Sequence, residues 1–172
     1  MALHTVDITP YDPAWPGAFA AERTRLAAIF GPSAHVIEHI GSTAVPGLPA
    51  KPTIDIAVGF DDLADFHRGR EATRHFGYEC RPAAAFHDGH LFLRKVRDGE
   101  RTHHLHVLRL PSADLDEYLA LRNYLRENPE AARRYADTKH RLAAKHYNDR
   151  RAYVDAKTAI ITDLLAEARA SP

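Results

Sequence analysis

The stretch HIGSTAVPGLPAKPTIDIAV, residues His39–Val58, decides the fold of this chain. It predicts the end of one strand, a tight Gly41-Ser42 corner, a loop rich in proline and glycine, and a second strand that carries Asp55. Glycine lets backbone N–H groups approach an anion closely, the serine hydroxyl adds a donor, and Lys51 adds a mobile positive charge. A phosphate cradle beside a carboxylate that can bind metal is what nucleotide chemistry requires.

The composition excludes several classes of protein. The 172 residues suit one domain over 1–172, with a core at about 1–110 and a helical part at about 111–172. A formal net charge of zero argues against general nucleic-acid binding but allows a small anionic ligand. Cys80 is the single cysteine, and neither a signal peptide nor a membrane span is recognisable. A cytoplasmic protein is therefore expected, with no membrane partner and no indication of its oligomeric state.

Hydrophobic periodicity and turn residues divide the chain into helices and strands. The predicted helices cover about 13–30, 62–76, 113–127, 130–147 and 151–170, and the predicted strands cover 36–40, 53–58, 78–81, 91–96 and 103–110. The Asp98-Gly99 pair is typical of a tight hairpin turn between the last two strands. Because strands come first and helices last, the pattern favours an α+β fold, a small mixed sheet with helices packed on it.

Strand alternation places the candidate site on one face of this sheet. Side chains alternate with period two, so Asp55 and Ala57 share a face, and His104 and His106 lie opposite Leu105 and Val107. If the two strands are neighbours, Asp55, His104 and His106 converge on one point.

Three further blocks accompany the first stretch. They are HHLHV at 103–107, LRNYLRENPEAA at 121–132 followed by Tyr135 and Lys139, and Tyr153 with Lys157. Together the four blocks resemble the GrpB family (the UPF0157 group) over nearly the whole chain. The resemblance implies the polymerase-beta-like fold of the nucleotidyltransferase superfamily, and some members of the family are fused to dephospho-coenzyme A kinase.

The resemblance also implies a metal site, but this sequence departs from the superfamily pattern at one of the metal-binding positions. The superfamily pattern is a Gly-Ser corner, a strand bearing Asp-x-Asp and a third carboxylate on a neighbouring strand, which hold two Mg²⁺ ions about 3.5–4 Å apart. Gly41, Ser42 and Asp55 fit, but Ala57 replaces the second carboxylate, and the third position falls on the strand of His104 and His106. Mg²⁺ prefers oxygen ligands, whereas imidazole suits Zn²⁺ or Mn²⁺.

Asp55, His104 and His106 are therefore the candidate catalytic residues and the candidate ligands of a divalent metal, Mg²⁺, Mn²⁺ or Zn²⁺. Three protein ligands with open positions suit a catalytic metal site. The alternative is a pair of histidines hydrogen-bonded in a polar pocket without metal. In either case one histidine could act as general base.

The candidate substrate-binding residues come from two parts of the chain. The residues of the first stretch are Gly41, Ser42, Thr43 and Lys51, and the resemblance adds Arg122, Lys139 and Lys157 as phosphate contacts. Two hypotheses concern other histidines. His39 would either line the pocket or orient Ser42, and His87 and His90 would flank a mobile lid.

The expected function is that of a nucleotidyltransferase-like protein that binds a nucleotide or another phosphorylated small molecule, with metal-dependent nucleotidyl transfer as the reaction. One alternative is a ligand-binding or regulatory module that has lost catalysis. The presence of Ala57 in place of the second carboxylate supports it. The other is metal-dependent hydrolysis of a phosphoester.

Overall fold

A computed structural model describes residues 6–80 and 89–170, and this part contains five α-helices and five strands. The helices are α1 (Trp15–Phe30), α2 (Leu63–His75), α3 (Ala113–Glu127), α4 (Pro129–Lys145) and α5 (Arg150–Ala170). The strands are β1 (Val36–Ile40), β2 (Ile54–Phe60), β3 (Tyr78–Cys80), β4 (His90–Arg97) and β5 (Glu100–Arg109). None of the helices in the described ranges is long and apolar enough to cross a membrane.

The five strands form one mixed sheet in the order β1-β2-β5-β4-β3. Only the central pair, β2 and β5, is parallel; the other neighbours are antiparallel. The parallel register pairs Asp55 with His104 and Ala57 with His106. The expected α+β fold is therefore confirmed, and the two strands that carry the candidate site are neighbours.

The two faces of the sheet have different environments. One face packs on α1 and α2 through Ile56, Val58, Leu105 and Val107, all of which are fully buried. The other face carries Asp55 and the two histidines, and there α3 covers the apolar side chains beside them. Burying the first face excludes water from the centre of the sheet, so the polar candidate residues lie on the second face.

The C-terminal helices hold the loop that follows β1. Val45 and Leu48 of this loop pack with Leu125, Tyr135 and Leu164 of α3, α4 and α5 in one buried cluster. The loop therefore depends for its shape on tertiary packing with all three C-terminal helices.

Most predicted boundaries lie within two residues of those observed. Asp62 caps α2 by accepting from the Ala64 N–H, and Ser112 caps α3 by accepting from the Leu115 N–H. The prediction for β5 was wrong at its start, since the strand begins at Glu100 and the hairpin turn is tighter than expected. Arg81, the predicted end of β3, and the predicted loop at 82–88 lie outside the described residues.

Candidate functional site

The site begins at the turn after β1, where Gly41 is held at φ 71° and ψ −170°, a conformation that side chains disfavour. A Cβ at this position would lie 2.5 Å from Oδ2 of Asp55. Ser42–Ala44 then form a short 3₁₀ turn in which the N–H groups of Ala44 and Val45 donate to the carbonyls of Gly41 and Ser42. Glycine is thus required both for the backbone conformation and for the close approach of the turn to the carboxylate.

Asp55 and His104 form a pair on the floor of the site. His104 Nδ1 donates to Asp55 Oδ1 at 2.8 Å, and the two side chains are 15% and 29% exposed, respectively. Burial by itself would raise the pKa of Asp55, but the hydrogen bond from His104 and the nearby positive groups lower it below its usual value. Asp55 therefore carries a negative charge over the whole physiological range.

His106 belongs to a chain of three side chains. Its Nδ1 lies 3.0 Å from Nε2 of His90, and His90 Nδ1 lies 2.6 Å from Oδ2 of Asp114 in the first turn of α3. Burial lowers the pKa of His106 to about 4, so its imidazole is neutral at pH 7. The lid hypothesis for His90 was wrong because this residue is buried in β4, and His87 lies outside the described residues.

The three predicted metal ligands lie on the same face of two neighbouring strands. Asp55, His104 and His106 lie together, as the register requires. Among residues 6–80 and 89–170, however, no three His, Cys, Asp or Glu side chains are arranged to hold a metal ion. Asp55 and His104 are hydrogen-bonded to each other. A single carboxylate still suits Mg²⁺, which keeps waters and takes phosphate oxygens from its substrate.

The lysine on α4 lies directly behind the turn. Lys139 is 2% exposed, and its Nζ donates to Ser42 Oγ at 3.2 Å and to the carbonyl of Pro49. Its ammonium also lies 4.7 Å from the centre of the Tyr135 ring. Burial, together with the charge of Lys157, lowers the pKa of Lys139 to about 7. The Lys139 side chain therefore changes between its charged and neutral forms near neutral pH.

Two other lysines share one aromatic ring. Lys51 Nζ lies 4.5 Å from the centre of the Tyr153 ring, and Lys157 Nζ lies 5.8 Å from it. Both lysines line the same cavity as Lys139. The structure therefore brings together the three lysines that the sequence singled out, from the loop, α4 and α5.

The arginines of α3 hold the turn in place. Arg122 donates to Glu38 at 2.6 Å and to the carbonyl of His39 at 2.9 Å. This residue, which was predicted to contact phosphate, is therefore hydrogen-bonded within the protein. Arg126, which the sequence did not single out, donates twice to the carbonyl of Ala44, at 2.7 and 2.9 Å. A guanidinium is suited to this double contact because of its fixed fork of donors.

Two cavities meet at the candidate residues. The first, which we call the apolar chamber, has a volume of about 260 Å³, and its lining includes Leu121, Leu125, Tyr135, Ile161 and Leu165. The second, which we call the basic chamber, has a volume of about 580 Å³ and is lined by four cationic side chains, Lys51, Arg101, Lys139 and Lys157, and by three carboxylates, Asp7, Asp55 and Glu100. Both are lined by Ser42, Asp55, His106 and Lys157. The four shared residues therefore stand where the two chambers join.

His39 supports the turn from beneath. It is buried, stacks on Phe19 with ring centres 4.7 Å apart, and has its Nε2 3.0 Å from Oγ1 of Thr43. Of the two roles considered for His39, neither is observed, since it contacts Thr43 rather than Ser42. Thr43 lines the basic chamber, but its hydroxyl is bonded within the protein.

The neutral state of His39 predicts a pH dependence of stability. Burial lowers its pKa to about 4, against about 6.5 in the unfolded chain, so the unfolded state binds the additional proton between these values. The free energy of unfolding is therefore expected to fall as the pH is lowered, with His39 contributing about 2 kcal/mol of the loss at pH 5. Urea unfolding at pH 8 and pH 5 measures it.

The control for this prediction is a comparison of two glutamine variants. His39→Gln should reduce the loss between pH 8 and pH 5 by about 2 kcal/mol relative to the wild type. His67→Gln, which changes an exposed histidine of α2, should keep the wild-type loss. An equal loss in all three proteins would show that His39 is not the group responsible.

Sequence reasoning missed three residues of the site, Asp114, Tyr118 and Arg126, and it assigned a fourth, His90, to a lid rather than to the sheet. For His90 a signal was present, because extending the predicted strand 91–96 by one residue places His90 on the face of His104 and His106. For the residues of α3 no signal was available, since their contacts depend on how the helix docks on the sheet.

Comparisons with known proteins agree with this architecture. Residues 5–167 match the profile of a family described as "GrpB protein". A UPF0157 protein of Pseudomonas aeruginosa is 38% identical over 168 residues, covering 96% of this chain and 69% of the relative. The crystal structure of the conserved protein GrpB from Enterococcus faecalis superposes with a TM-score of 0.87 at 36% identity, covering 94% of this chain and 96% of that one.

A more distant likeness concerns the fold alone. The Cid1 poly(U) polymerase, solved as an H336N mutant bound to MgATP, superposes with a TM-score of 0.52 at 13% identity. The match covers 77% of this chain and 45% of the polymerase. The chain therefore has the fold of the nucleotidyltransferases.

Proposed function

Since the chain belongs to the GrpB family and has a nucleotidyltransferase fold, we propose that its cleft binds a nucleoside triphosphate, or another phosphorylated metabolite, with a divalent cation and catalyses nucleotidyl transfer. One observation carries the proposal. Ser42, Asp55 and Lys157 meet where a basic chamber joins an apolar one. That arrangement suits a ligand with a polyanionic end and an apolar end, such as a nucleotide.

The basic chamber is the place for the phosphates. Lys51 of the loop, Lys139 of α4 and Lys157 of α5 supply positive charge, and the Ser42 hydroxyl supplies a donor beside Lys139. A preorganised set of such donors stabilises negative charge without the cost of reorientation during reaction. The apolar chamber would receive the base or another apolar group, against Tyr135 and the leucines of α3 and α5.

Asp55 is the residue that would hold the divalent cation. When bound, such an ion neutralises part of the negative charge of the phosphates. Asp55 is negatively charged and lies beside the turn that would contact the phosphates. His106, neutral at pH 7, lies on the same wall and could accept a proton from an attacking hydroxyl, the role of a general base.

A second candidate function has its own observation. Ala57 is completely buried and packs with Ile40, Leu108 and Leu115. A carboxylate at this position would displace an apolar contact, so the second metal-binding carboxylate of the superfamily is replaced by core packing. This favours a binding or regulatory module that has kept the cleft and lost catalysis. Hydrolysis of a phosphoester by the same residues remains a third hypothesis.

Isothermal titration calorimetry of the metal-stripped protein tests the proposed function. The ligands are ATP, GTP, CTP, UTP and dephospho-coenzyme A, each with and without Mg²⁺, Mn²⁺ and Zn²⁺. Binding of one ligand that requires a metal supports the catalytic proposal and identifies the substrate for an activity assay. Binding with the same affinity in the presence and absence of metal supports the regulatory module. The absence of binding under all conditions contradicts the nucleotide cleft.

The charge of Lys139 predicts a pH dependence of binding. Because its pKa is lowered to about 7, Lys139 is charged at pH 6 and neutral at pH 8.5. Affinity for MgATP is therefore expected to fall about fivefold to tenfold over this range, beyond the change that comes from the ligand's own titration. Calorimetry at four pH values measures this dependence.

Methionine variants separate the two sources of pH dependence. Lys139→Met should bind more weakly at pH 6 and show only the dependence due to the ligand. Lys145→Met, which changes an exposed lysine of the same helix, should behave as the wild type. A wild-type pH dependence in Lys139→Met would show that this lysine does not contact the phosphates.

A further inference from the structure

Aliphatic side chains form much of the apolar chamber. Its lining includes Leu121 and Leu125 of α3, Ile161 and Leu165 of α5, and Ile40 of β1. Protein interiors are closely packed, and few spaces within them are larger than a water molecule. In another protein, a cavity of about 150 Å³ with an aliphatic and aromatic lining binds benzene. The chamber, at about 260 Å³, is therefore large enough for an apolar group longer than a benzene ring.

Three polar side chains of the same chamber already have neighbours within the protein. Arg122 donates to two groups of the protein, and Glu117 accepts from Arg169 at 2.8 Å. The Tyr118 oxygen lies 3.5 Å from Nδ1 of His106. A nucleobase has several hydrogen-bonding groups on its edge, and burying such groups without partners costs free energy. The chamber therefore suits an aliphatic chain better than a base.

The basic chamber has an aromatic surface of its own. Phe92 of β4 lines it, and the centre of the Phe92 ring lies 5.1 Å from the ring centres of both His104 and His106. Tyr153 of α5 lines the same chamber. Its volume of about 580 Å³ lies within the range of about 300–1,000 Å³ that is typical of whole small-molecule sites. A nucleotide can therefore be held entirely in the basic chamber, with its base stacked on an aromatic ring.

We propose that the apolar chamber binds a second ligand, an aliphatic primary alcohol, whose chain contacts the leucines and isoleucines of α3 and α5 and whose hydroxyl lies where the two chambers join. Ser42, Asp55 and Lys157 line both chambers at that point. They offer donors and acceptors of both charges. An uncharged hydroxyl, which donates one hydrogen bond and accepts others, suits such a mixed set.

The role of this alcohol rests on the proposed function, but its binding does not. In nucleotidyl transfer the acceptor must lie beside the phosphates, and the junction of the chambers is such a place. The alcohol oxygen would bond to the α-phosphorus while the bond from that phosphorus to pyrophosphate breaks. The hydroxyl proton would pass to His106 and then to solvent. The aliphatic alcohol is thus the class of acceptor that we assign to the site.

Calorimetric titration of the nucleotide-free protein with 1-butanol, 1-hexanol and 1-octanol tests the binding of the chain. Each methylene that enters the chamber leaves water, so affinity should rise about fourfold for each one added. Methyl ¹H–¹³C NMR of the same samples should show shift changes at Leu121, Leu125, Ile161 and Leu165. No binding of 1-octanol, or shift changes only at methyl groups outside the chamber, would overturn the proposal.

Phenylalanine variants fill the chamber without adding charge. Ile161 and Leu121 are only partly buried, so Ile161→Phe and Leu121→Phe provide two independent variants if one of them does not fold. Each should weaken the binding of 1-octanol at least tenfold. Ile160→Phe is the matched control, because Ile160 is also partly buried but is not in the chamber lining among the described residues. Wild-type affinity in the folded chamber variants would place the alcohol elsewhere and overturn the proposal.

A titration of 1-octanol in the presence of saturating MgATP distinguishes two ligands from one. If the nucleotide lies in the basic chamber, the affinity for 1-octanol should stay within about twofold of its value without nucleotide. Displacement of 1-octanol by MgATP would mean that the base occupies the apolar chamber, and it would overturn the proposal. If MgATP itself does not bind, the proposed function fails, and the alcohol titrations still decide whether the chamber binds an aliphatic chain.

Discussion

Replacing Asp55 with asparagine is expected to weaken metal-dependent binding of MgATP by about 100-fold or more, which is roughly 2.7 kcal/mol. The amide has nearly the same shape but lacks the negative charge that would hold the divalent cation. It also changes the partner of His104, whose Nδ1–H donates to Asp55 Oδ1. Both effects act at the point where the two chambers meet. Calorimetry with ATP in the presence of Mg²⁺ measures the change.

A matched variant separates charge at the site from charge in general. Asp61→Asn also removes one carboxylate, from an exposed position after β2, and should leave the affinity unchanged. Asp55→Asn should bind ATP without Mg²⁺ as well as the wild type does, or slightly better, because a repulsive charge has been removed. If Asp55→Asn keeps the full metal-dependent affinity, Asp55 does not hold the cation.

Replacing Gly41 with alanine is expected to lower the free energy of unfolding by about 3 kcal/mol or more. The backbone at φ 71° and ψ −170° is nearly restricted to glycine. In addition, the new Cβ would lie 2.5 Å from Oδ2 of Asp55, so either the turn or the carboxylate must move. Ligand binding should be lost together with the stability. Urea unfolding gives the stability change, and calorimetry gives the binding change.

Gly47 provides the control for this variant because it also has a positive φ, 77°, but an added Cβ there meets nothing within 4 Å. Gly47→Ala should therefore cost only the conformational term, about 1–2 kcal/mol, and retain binding. The difference between the two alanine variants measures the contact between the turn and Asp55. Equal losses of stability with binding intact in both would show that this contact is unimportant.

The fold could be predicted from the sequence to a large extent because its signals are local. The Asp98-Gly99 turn sets the hairpin of β4 and β5, and alternation along β5 correctly placed His104 and His106 opposite Leu105. The order of the strands could not be obtained in this way. The parallel contact of β2 with β5 joins residues about 50 positions apart, and only the structure shows it.

The site was predicted less completely because it depends on docking between elements. Asp55, His104 and Lys139 do face the cleft, but the sequence could not show that Asp55 is paired with His104 or that Lys139 is buried behind Ser42. From the sequence alone, Asp114 cannot be distinguished from any acidic residue in the first turn of a helix. Only the packing of α3 on the sheet brings it to His90 and connects it to the cleft.

The proposed function requires that the cleft between the turn, the sheet and the C-terminal helices binds a phosphorylated ligand. The most direct test is ¹H–¹⁵N NMR of the labelled protein titrated with ATP and Mg²⁺, which shows where the ligand binds. We expect amide shift changes concentrated at 41–43, 51–55 and 153–161, with β3 unaffected at the far edge of the sheet. Shift changes confined to other surfaces, or none at millimolar ATP, would contradict it.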